Sequence, residues 1–469
     1  MKLEQIYTGC LAQGAYYIES KGEAVIIDPL RETKPYIQRA EKDGAKIKYI
    51  LETHFHADFV SGHVDLAQKT GATIVYGPNA ETGFEAYIAK DAEILRVGAI
   101  GIKVLHTPGH TMESTSYLLL DENGKETALF SGDTLFIGDV GRPDLAVKTH
   151  LTREDLAAHL YDSLRHKIMP LPDEVTVYPA HGAGSACGKN MSKETFDTLG
   201  NQKATNYALR ADMSKEEFVK EVTSGLSKAP QYFPKNVLMN KNGYESLDVV
   251  YKRGMVALSP NAFEAIANET AALILDTRAP QTFKDAFVPN SINIGIDGGF
   301  APWVGALIID LKQPIILVTD EGRAKEVVTR LARVGYDNVL GYLEGGLEAW
   351  KEAKKEVDQI TSIAATNFEQ QLTKQSLNVL DVRKPNEYKS EHIVDAANFP
   401  LDYINDNIET LDRDKTYHIH CAGGYRSMIT SSILKARGFH NLVEVAGGFK
   451  AIAETGIPKT AFVCPSTLS

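Results

Sequence analysis

The sequence predicts an α/β protein of several domains, and two patterns in the chain support this prediction. In the first half, short apolar runs typical of buried strands end in side chains that bind metals. In the second half, residues 272–278 recur at 377–383, and each copy alternates β-branched strands with helices, as parallel sheets do. A length of 469 residues exceeds a single core and suggests roughly two to four domains.

The most informative stretch, Thr53 to Phe59, holds two histidines and an aspartate directly after the apolar run Tyr49 to Leu51. Side chains at strand ends can converge on one ion while the strands stay in the core. The pattern therefore predicts a metal enzyme. Three later segments repeat the arrangement: Ile102 to Leu105 before His106 and His110, Ala128 to Phe130 before Asp133, and Val175 to Tyr178 before His181.

Composition is that of an ordinary globular protein, with 43% hydrophobic and 24% charged residues. The net charge of −11 and the lack of a lysine- or arginine-rich block argue against a nucleic-acid partner. No apolar run approaches a membrane span, and the first residues lack the pattern of a secretion signal. Four scattered cysteines do not form a disulfide framework, so we expect a cytoplasmic protein with available thiols.

The repeat sets the domain boundaries. A period of roughly 100 residues is too long for a solenoid and indicates a duplicated domain. We predict one domain at residues 1–250, a second at 258–355 and a third at 360–469.

The third domain carries a candidate nucleophile. A predicted strand, Tyr417 to His420, precedes Cys421 in a glycine-rich stretch that opens a helix. Inward-facing N–H groups and the positive end of the helix lower the pKa of a cysteine placed there. Arg426 offers planar donors for an anionic sulfur oxyanion. We predict that Cys421 and Arg426 are catalytic; the alternative is a buried structural cysteine before a turn.

This stretch resembles the active loop of rhodaneses, the sulfurtransferases that hold sulfur as a cysteine persulfide. The resemblance extends to Asp381 to Arg383 and to Glu391 to Ile393, where Glu391 replaces the glycine of the family's Gly-His-Ile segment. Cysteine phosphatases are the neighbouring alternative, but their loop is one residue longer between cysteine and arginine. The resemblance implies two rhodanese-like α/β domains with parallel sheets.

In the middle copy, we expect Asp320 to take the place of the cysteine. A carboxylate cannot carry a persulfide, and Asp320 with Glu321 makes the loop repel anions. The second domain is therefore predicted to be an inactive rhodanese-like domain with a structural role.

The first domain resembles the metallo-β-lactamase superfamily, which implies an αββα sandwich. The apolar run Ala24 to Ile27, which ends at Asp28, belongs to this resemblance. In the dinuclear zinc hydrolases of that superfamily, glyoxalase II among them, the first motif is His-x-His-x-Asp-His. Phe59 stands where the last histidine belongs, so a two-metal water-activating centre is not expected.

The remaining residues can form one site from His54, His110 and Asp133, the two-histidine, one-carboxylate set of non-haem Fe(II) oxygenases. This set resembles the ligands of persulfide dioxygenases, the branch of the superfamily that oxidises glutathione persulfide. The resemblance implies one Fe(2+) per chain, with zinc as the alternative. It also implies residues around the iron that orient ligands, handle protons or add a ligand: His56, Asp58 and His181.

Two further residues are predicted to meet the substrate. In these dioxygenases an arginine at the position of Arg142 lies near the bound thiol; the alternative is an ordinary surface arginine. Cys187, in a glycine-rich run, is either a thiol facing the iron pocket or a small buried filler. His106 and His150 carry no partner pattern, and we expect both to be structural.

The domain order resembles the fused persulfide dioxygenase–sulfurtransferases of bacterial sulfide detoxification. The resemblance implies oxidation of a low-molecular-weight thiol persulfide by O2 to sulfite, and sulfur transfer through Cys421 that gives thiosulfate. One alternative is a glyoxalase II-like zinc thioesterase fused to a sulfurtransferase, and Phe59 counts against it. Another is a non-catalytic persulfide carrier. The sequence leaves the oligomeric state open, a homo-oligomer included.

Overall fold

The computed structural model describes residues 1–146, 151–226 and 228–464. The chain divides into two compact units. The first comprises Met1–Leu247 with Ala332–Gly335, and the second comprises Asp248–Leu331 with Tyr336–Ser469. Within the described residues, no helix is both long and apolar enough to cross a membrane.

The first unit contains two six-stranded sheets. Strands β1 to β6 pair in chain order and lie at Lys2–Thr8, Gln13–Ser20, Glu23–Ile27, Lys46–Leu51, Thr73–Tyr76 and Tyr87–Ile88. Strands β7 to β12 lie at Ile94–Val97, Ile100–His106, Thr115–Leu120, Glu126–Gly132, Thr176–Pro179 and Asp197–Thr198. They pair in the order β12-β11-β10-β9-β8-β7. Helices α1 to α6 lie at Lys34–Lys42, His63–Thr70, Arg153–Ser163, Leu199–Thr205, Lys215–Thr223 and Phe233–Asn242.

Alternating side chains of the strands build the layers of this unit, because successive residues of a strand point to opposite faces. In β2, Tyr16 and Ile18 belong to an apolar core that also contains residues of the second sheet. Their neighbours Ala15 and Tyr17 pack instead in the core beneath α1 and α2. On the other face of the second sheet, a third core lies beneath α3 and α5. The predicted αββα sandwich is confirmed.

Of the four strands that precede the candidate ligands, β8, β10 and β11 belong to the second sheet and β4 belongs to the first. Strand β9 is antiparallel to both β8 and β10, and β10 is parallel to β11. Strands β8, β10 and β11 therefore run in the same direction. The four strands predicted ahead of the ligand residues are confirmed as β4, β8, β10 and β11.

The second unit begins within helix α7, at Leu247–Gly254, and contains two five-stranded sheets. Strands β13 to β17 lie at Ala257–Leu258, Leu273–Asp276, Ile292–Asn293, Ile315–Val318 and Val339–Leu343. Helices α8 to α12 lie at Pro260–Thr270, Pro280–Phe283, Phe300–Leu307, Ala324–Ala332 and Gly346–Glu352. Strands β18 to β22 lie at Thr361–Ile363, Asn378–Asp381, Ala397–Asn398, Tyr417–His420 and Leu442–Val445. Helices α13 to α17 lie at Ala365–Leu372, Pro385–Ser390, Ile404–Asn407, Tyr425–Ala436 and Gly448–Ile452.

The two sheets of the second unit share one topology. Their orders, β13-β17-β16-β14-β15 and β18-β22-β21-β19-β20, correspond strand for strand, and all their pairs are parallel. Each copy also buries a carboxylate–guanidinium pair at the same point. Arg278 binds Asp276, and Arg383 binds Asp381, each with a closest distance of 2.6 Å. The duplication predicted from the repeat is confirmed.

Candidate functional site

Three predicted ligands converge in the first unit. His54 follows β4, His110 follows β8 and Asp133 follows β10, and all three are buried. The Asp133 Oδ2 atom lies 3.8 Å from His54 Nε2 and 3.5 Å from His110 Nε2. Two atoms bound to one ion at about 2.1 Å lie roughly 3.0 to 3.6 Å apart at ordinary angles. The spacing therefore matches a metal site that needs little rearrangement to close.

Hydrogen bonds fix the tautomers of both histidines. His110 Nδ1 lies 2.9 Å from the carbonyl oxygen of Arg142, an acceptor, so Nδ1 carries the proton. The Thr53 hydroxyl donates to Asp28 Oδ2 and therefore accepts from His54 Nδ1, 3.0 Å away. In each ring, Nε2 keeps its lone pair on the side facing Asp133. This is the arrangement in which outer groups orient metal-binding histidines.

Electrostatics keep His54 ready to bind a metal. Burial and the neighbouring histidines hold its pKa well below the usual range, so the ring is neutral at neutral pH. Among the residues that the structure describes, neither carboxylate oxygen of Asp133 has a hydrogen-bond partner, although both are buried. Buried carboxylate oxygens without partners are rare unless an unseen ion binds them.

His56 is placed differently from His54. Its Nε2 atom lies 3.1 Å from Asp28 and 3.3 Å from Glu52, both buried. Burial alone would lower the pKa of His56, but the two carboxylates outweigh it and raise this pKa well above the usual value. Phe59 is fully buried and packs on the His56 ring with centroids 4.3 Å apart. An apolar ring therefore occupies the place where the sequence lacks the fourth motif ligand.

A second group lies beside the first and shares Asp133. His181 Nε2 lies 3.6 Å from Asp133 Oδ1 and 3.4 Å from Asp58 Oδ2, and its Nδ1 donates to the carbonyl of Ala12. The thiol of Cys187 joins Asp133 and His181 in a cluster whose ligand atoms lie within 4.8 Å of one another. Burial and the adjacent carboxylates raise the pKa of Cys187 well above its usual value, so the thiol stays protonated. The Cys187 sulfur therefore lies beside Asp133 and His181, and its contact with substrate stays a prediction.

Arg142 is buried and not a surface residue. Its guanidinium makes a two-point salt bridge with Asp144, with both N–O distances at 2.7 Å, and it also donates to the carbonyl of Ala186. Its own carbonyl orients His110, and its N–H donates to the carbonyl of Cys187. Arg142 therefore ties together the segments on both sides of the candidate metal group. Sequence reasoning did not find Asp144.

Of the two histidines expected to be structural, only His106 lies within the described residues, and it does not join this group. His106 is partly exposed, and its Nε2 lies 2.9 Å from the Met112 carbonyl. His150 lies outside the residues that the structure describes.

The second unit holds Cys421 between β21 and α16, as predicted. Its thiol is buried and receives the backbone N–H of Gly424 at 3.1 Å, where the chain turns through a positive φ of 106°. Behind the sulfur, the Ser427 hydroxyl lies 3.6 Å away. Gly448 is required here because a Cβ on it would lie 2.4 Å from the Cys421 carbonyl oxygen. The sulfur thus sits in a cradle formed by the Gly424 N–H, the Ser427 hydroxyl and the start of α16, an arrangement that stabilises a thiolate.

Arg426 has a partner that the sequence analysis did not find. Its two terminal nitrogens bind the two carboxylate oxygens of Glu387 at 2.6 and 2.8 Å. Glu387 raises the pKa of Arg426, which stays charged. The pair holds the guanidinium beside the loop.

The middle copy corrects one prediction. Val318 pairs with Asp276 in the second domain, just as His420 pairs with Asp381 in the third. The residue after the strand, which corresponds to Cys421, is therefore Thr319 and not Asp320. The prediction of Asp320 is wrong by one residue, because the repeat offset changes along the chain. Thr319 cannot carry a persulfide either.

Thr319→Ala is therefore expected to leave thiosulfate:cyanide sulfurtransfer within about twofold of the unchanged protein. A hydroxyl stays protonated near neutral pH and does not form the nucleophile that sulfur transfer needs. The assay measures thiocyanate, with Cys421→Ala as the inactive baseline. A loss approaching that baseline would show that the middle copy takes part in the sulfur chemistry.

Family comparisons agree with these two units. The Metallo-beta-lactamase superfamily model matches residues 8–181, and the Rhodanese-like domain model matches residues 259–353 and 364–455. Among solved structures, the chain is similar to a metallo-beta-lactamase from Staphylococcus aureus subsp. aureus COL. The TM-score is 0.64 at 32% identity, over 73% of this chain and 98% of that one.

Two curated relatives differ in the activity that their names give. The chain is 34% identical over 177 residues to the cytoplasmic hydroxyacylglutathione hydrolase of Arabidopsis thaliana, which is 37% of this chain and 65% of that protein. It thus spans less than two thirds of that relative. It is 30% identical over 200 residues to the mitochondrial persulfide dioxygenase ETHE1 of Homo sapiens, which is 42% of this chain and 70% of that protein. The chain belongs to the metallo-beta-lactamase superfamily and carries two rhodanese-like domains after its metallo-beta-lactamase domain.

Proposed function

We propose that the first unit oxidises a low-molecular-weight thiol persulfide with O2 at one non-haem iron. We also propose that the third domain transfers sulfane sulfur through Cys421. The observation that carries the first part is the convergence of His54, His110 and Asp133, with Phe59 in place of a further ligand. Free thiols are needed throughout, so we propose a reducing compartment such as the cytoplasm.

The donor set fits a ferrous ion. Two imidazoles with fixed Nε2 lone pairs and one carboxylate without partners are the ligands of non-haem Fe(II) oxygenases. His54, His110 and Asp133 would hold the ion. A bound ferrous ion would supply the redox chemistry that lets O2 react with the persulfide sulfur.

The chain's own residues prepare this chemistry in two ways. Thr53 and the Arg142 carbonyl hold the two imidazoles in one orientation, so the ligands need little reorganisation. The buried side chains of Asp58 and His181 place polar groups beside Asp133, next to the candidate metal group. The net reaction is RSSH + O2 + H2O → RSH + SO3²⁻ + 2H⁺, in which the terminal sulfur is oxidised and O2 is reduced.

The sulfur transfer follows from the cradle around Cys421. In the step Cys421–S–S⁻ + SO3²⁻ → Cys421–S⁻ + S2O3²⁻, a bond forms between the outer sulfur and sulfite while the bond to Cys421 breaks. The Gly424 N–H stabilises the departing thiolate, and the Arg426 charge attracts the incoming anion. The same groups support the reverse reaction, in which thiosulfate loads Cys421.

A second candidate for the first unit is a zinc thioesterase. Two observations favour it: the second group beside the first, in which His181 and Asp58 adjoin Asp133, and the hydroxyacylglutathione hydrolase among the relatives. Such a hydrolase uses metal-bound hydroxide, usually with two ions. The burial of Phe59 and the engagement of His56 by Asp28 and Glu52 count against a second complete site.

Metal content and substrate choice separate the two candidates. We expect about one iron per chain by elemental analysis. We also expect O2 uptake with glutathione persulfide and no hydrolysis of a hydroxyacylglutathione thioester. Removal of the metal by a chelator should abolish O2 uptake and leave thiosulfate:cyanide sulfurtransfer intact. Two zinc ions per chain with thioester hydrolysis would refute the dioxygenase proposal.

A further inference from the structure

The third domain buries a carboxylate that the sulfur transfer described above does not use. Glu444 lies on β22, between β18 and β21, and is 0% exposed. Its Oε2 atom accepts from the Ser362 hydroxyl at 2.6 Å, and its Oε1 atom accepts from the Ser427 hydroxyl at 3.0 Å. Among the described residues, no lysine or arginine nitrogen forms a salt bridge with it. A buried carboxylate held by neutral hydroxyls is costly and calls for a functional explanation.

Ser427 connects this carboxylate to the reacting sulfur. Its oxygen lies 3.6 Å from Cys421 Sγ, and its single hydrogen points at Glu444. While that hydrogen is donated to Glu444, Ser427 can only accept from the Cys421 thiol. The Cys421 thiol therefore donates to the Ser427 hydroxyl, which donates to the Glu444 carboxylate. These hydrogen bonds form a buried path for a proton.

The groups that face Glu444 allow it to hold a proton. Ser362 on β18 and Ser427 on α16 are neutral, and the neighbour in register on β21 is the apolar Ile419. The charge of Lys284, at the end of α9, acts on Glu444, and its amine pairs with Asp285. Burial raises the pKa of the Glu444 carboxyl despite the opposing effects of Ser362, Ser427 and Lys284.

We propose that Ser427 and Glu444 form a proton relay behind Cys421, with Glu444 as a positioning residue that acts through Ser427. The inference rests on the proposed sulfur transfer through Cys421. The step is Cys–SH + Ser–OH + Glu–COO⁻ → Cys–S⁻ + Ser–OH + Glu–COOH. The thiol proton moves to the Ser427 oxygen as the Ser427 proton moves to Glu444, so atoms and charge balance.

The relay changes what Ser427 offers to the sulfur. After the step, the hydroxyl hydrogen of Ser427 points at the thiolate, which then accepts from both Ser427 and the Gly424 N–H. The protonated Glu444 in turn donates to the Ser427 oxygen. Thiolate formation is thereby coupled to neutralisation of the buried carboxylate, and each process offsets the electrostatic cost of the other.

The test follows the reactivity of Cys421 with iodoacetamide from about pH 5 to about pH 10 on the full-length protein. Alkylation is quantified on the peptide that contains Cys421. For the unchanged protein we expect two titration steps, because a coupled thiol–carboxyl pair loses its protons in two stages. Glu444→Gln, which keeps shape and hydrogen bonding, should reduce the profile to one step. Glu454→Gln, an exposed glutamate of the same domain, should keep both.

Ser427→Ala provides a second variant that keeps the carboxylate and removes the bridge. We expect alkylation near neutral pH to fall by about tenfold or more, because the thiolate loses a hydrogen bond. A Glu444→Gln profile that superimposes on that of the unchanged protein, or unaltered reactivity in Ser427→Ala, would overturn the relay. The readout is independent of turnover. If the unchanged protein shows the two-step profile but transfers no sulfur, the proposed function fails while the relay stands.

Discussion

Asp133→Ala is expected to empty the metal site and abolish persulfide-dependent O2 uptake, while thiosulfate:cyanide sulfurtransfer persists. Asp133 supplies the carboxylate that faces both His54 Nε2 and His110 Nε2. Changing an outer hydrogen-bond partner of a metal ligand typically costs about 10- to 100-fold in affinity or activity. Removing a ligand itself should therefore cost more than about 100-fold. Iron content falls from about one per chain to near zero.

We expect Asp133→Ala to affect O2 uptake and not sulfurtransfer, because the two units have separate hydrophobic cores. Cys421 and its cradle lie in the second unit, which has its own apolar clusters. A loss of metal in the first unit should therefore leave the sulfur site folded. Asp212→Ala is the matched control, because this aspartate of the first unit is 79% exposed and pairs with Arg210. Iron retained in Asp133→Ala would show that the ligand assignment is wrong.

Local patterns explain why the fold of the first unit could be predicted. Strands β4, β8, β10 and β11 are short apolar runs that end at ligand residues, and both signals are adjacent in the chain. The prediction of the αββα sandwich rested on a family resemblance. Local patterns do not give the strand order, because strand order depends on contacts between distant segments.

The wrong prediction of Asp320 shows that equivalent residues in two copies of a repeat cannot be matched with a single sequence offset. The residues of β14 and β19 align at one offset, whereas those around β16 and β21 align at a shorter one. Residues lost between copies shift the register, and only strand pairing shows where the shift falls. Thr319 was therefore hidden until the pairing of Val318 with Asp276 was known.

The hydrogen-bond and salt-bridge partners of the site residues could not be predicted from the sequence, for a related reason. Glu387 meets Arg426 from α14, and Glu444 reaches Ser427 from β22, so neither pair has a spacing that a local motif reveals. The role of His56 depends on Asp28, which arrives from the neighbouring parallel strand β3. Tertiary packing determines which side chains position a catalytic group. A single sequence contains little information about that packing.

Cys421→Ser is expected to abolish sulfurtransfer and to shift the product of persulfide oxidation from thiosulfate towards sulfite. Cys421 lies at a helix start with the Gly424 N–H donated to its sulfur, so it can act as a sulfur nucleophile, whereas a serine hydroxyl in the same place stays protonated. No persulfide then forms at this position, and the sulfite made in the first unit finds no sulfane sulfur there. O2 uptake with glutathione persulfide should persist, because the metal group belongs to the other unit.

The matched control for this variant is Cys464→Ser, an exposed cysteine of the same domain. Both anions are quantified by chromatography after correction for the spontaneous reaction of sulfite with persulfide. We expect the control to keep thiosulfate as the product, because Cys464 has no glycine-rich cradle and no arginine five residues after it in the sequence. Thiosulfate that still dominates in Cys421→Ser would remove Cys421 from the pathway. The buried chain of Ser427 and Glu444 behind the sulfur would then need another explanation.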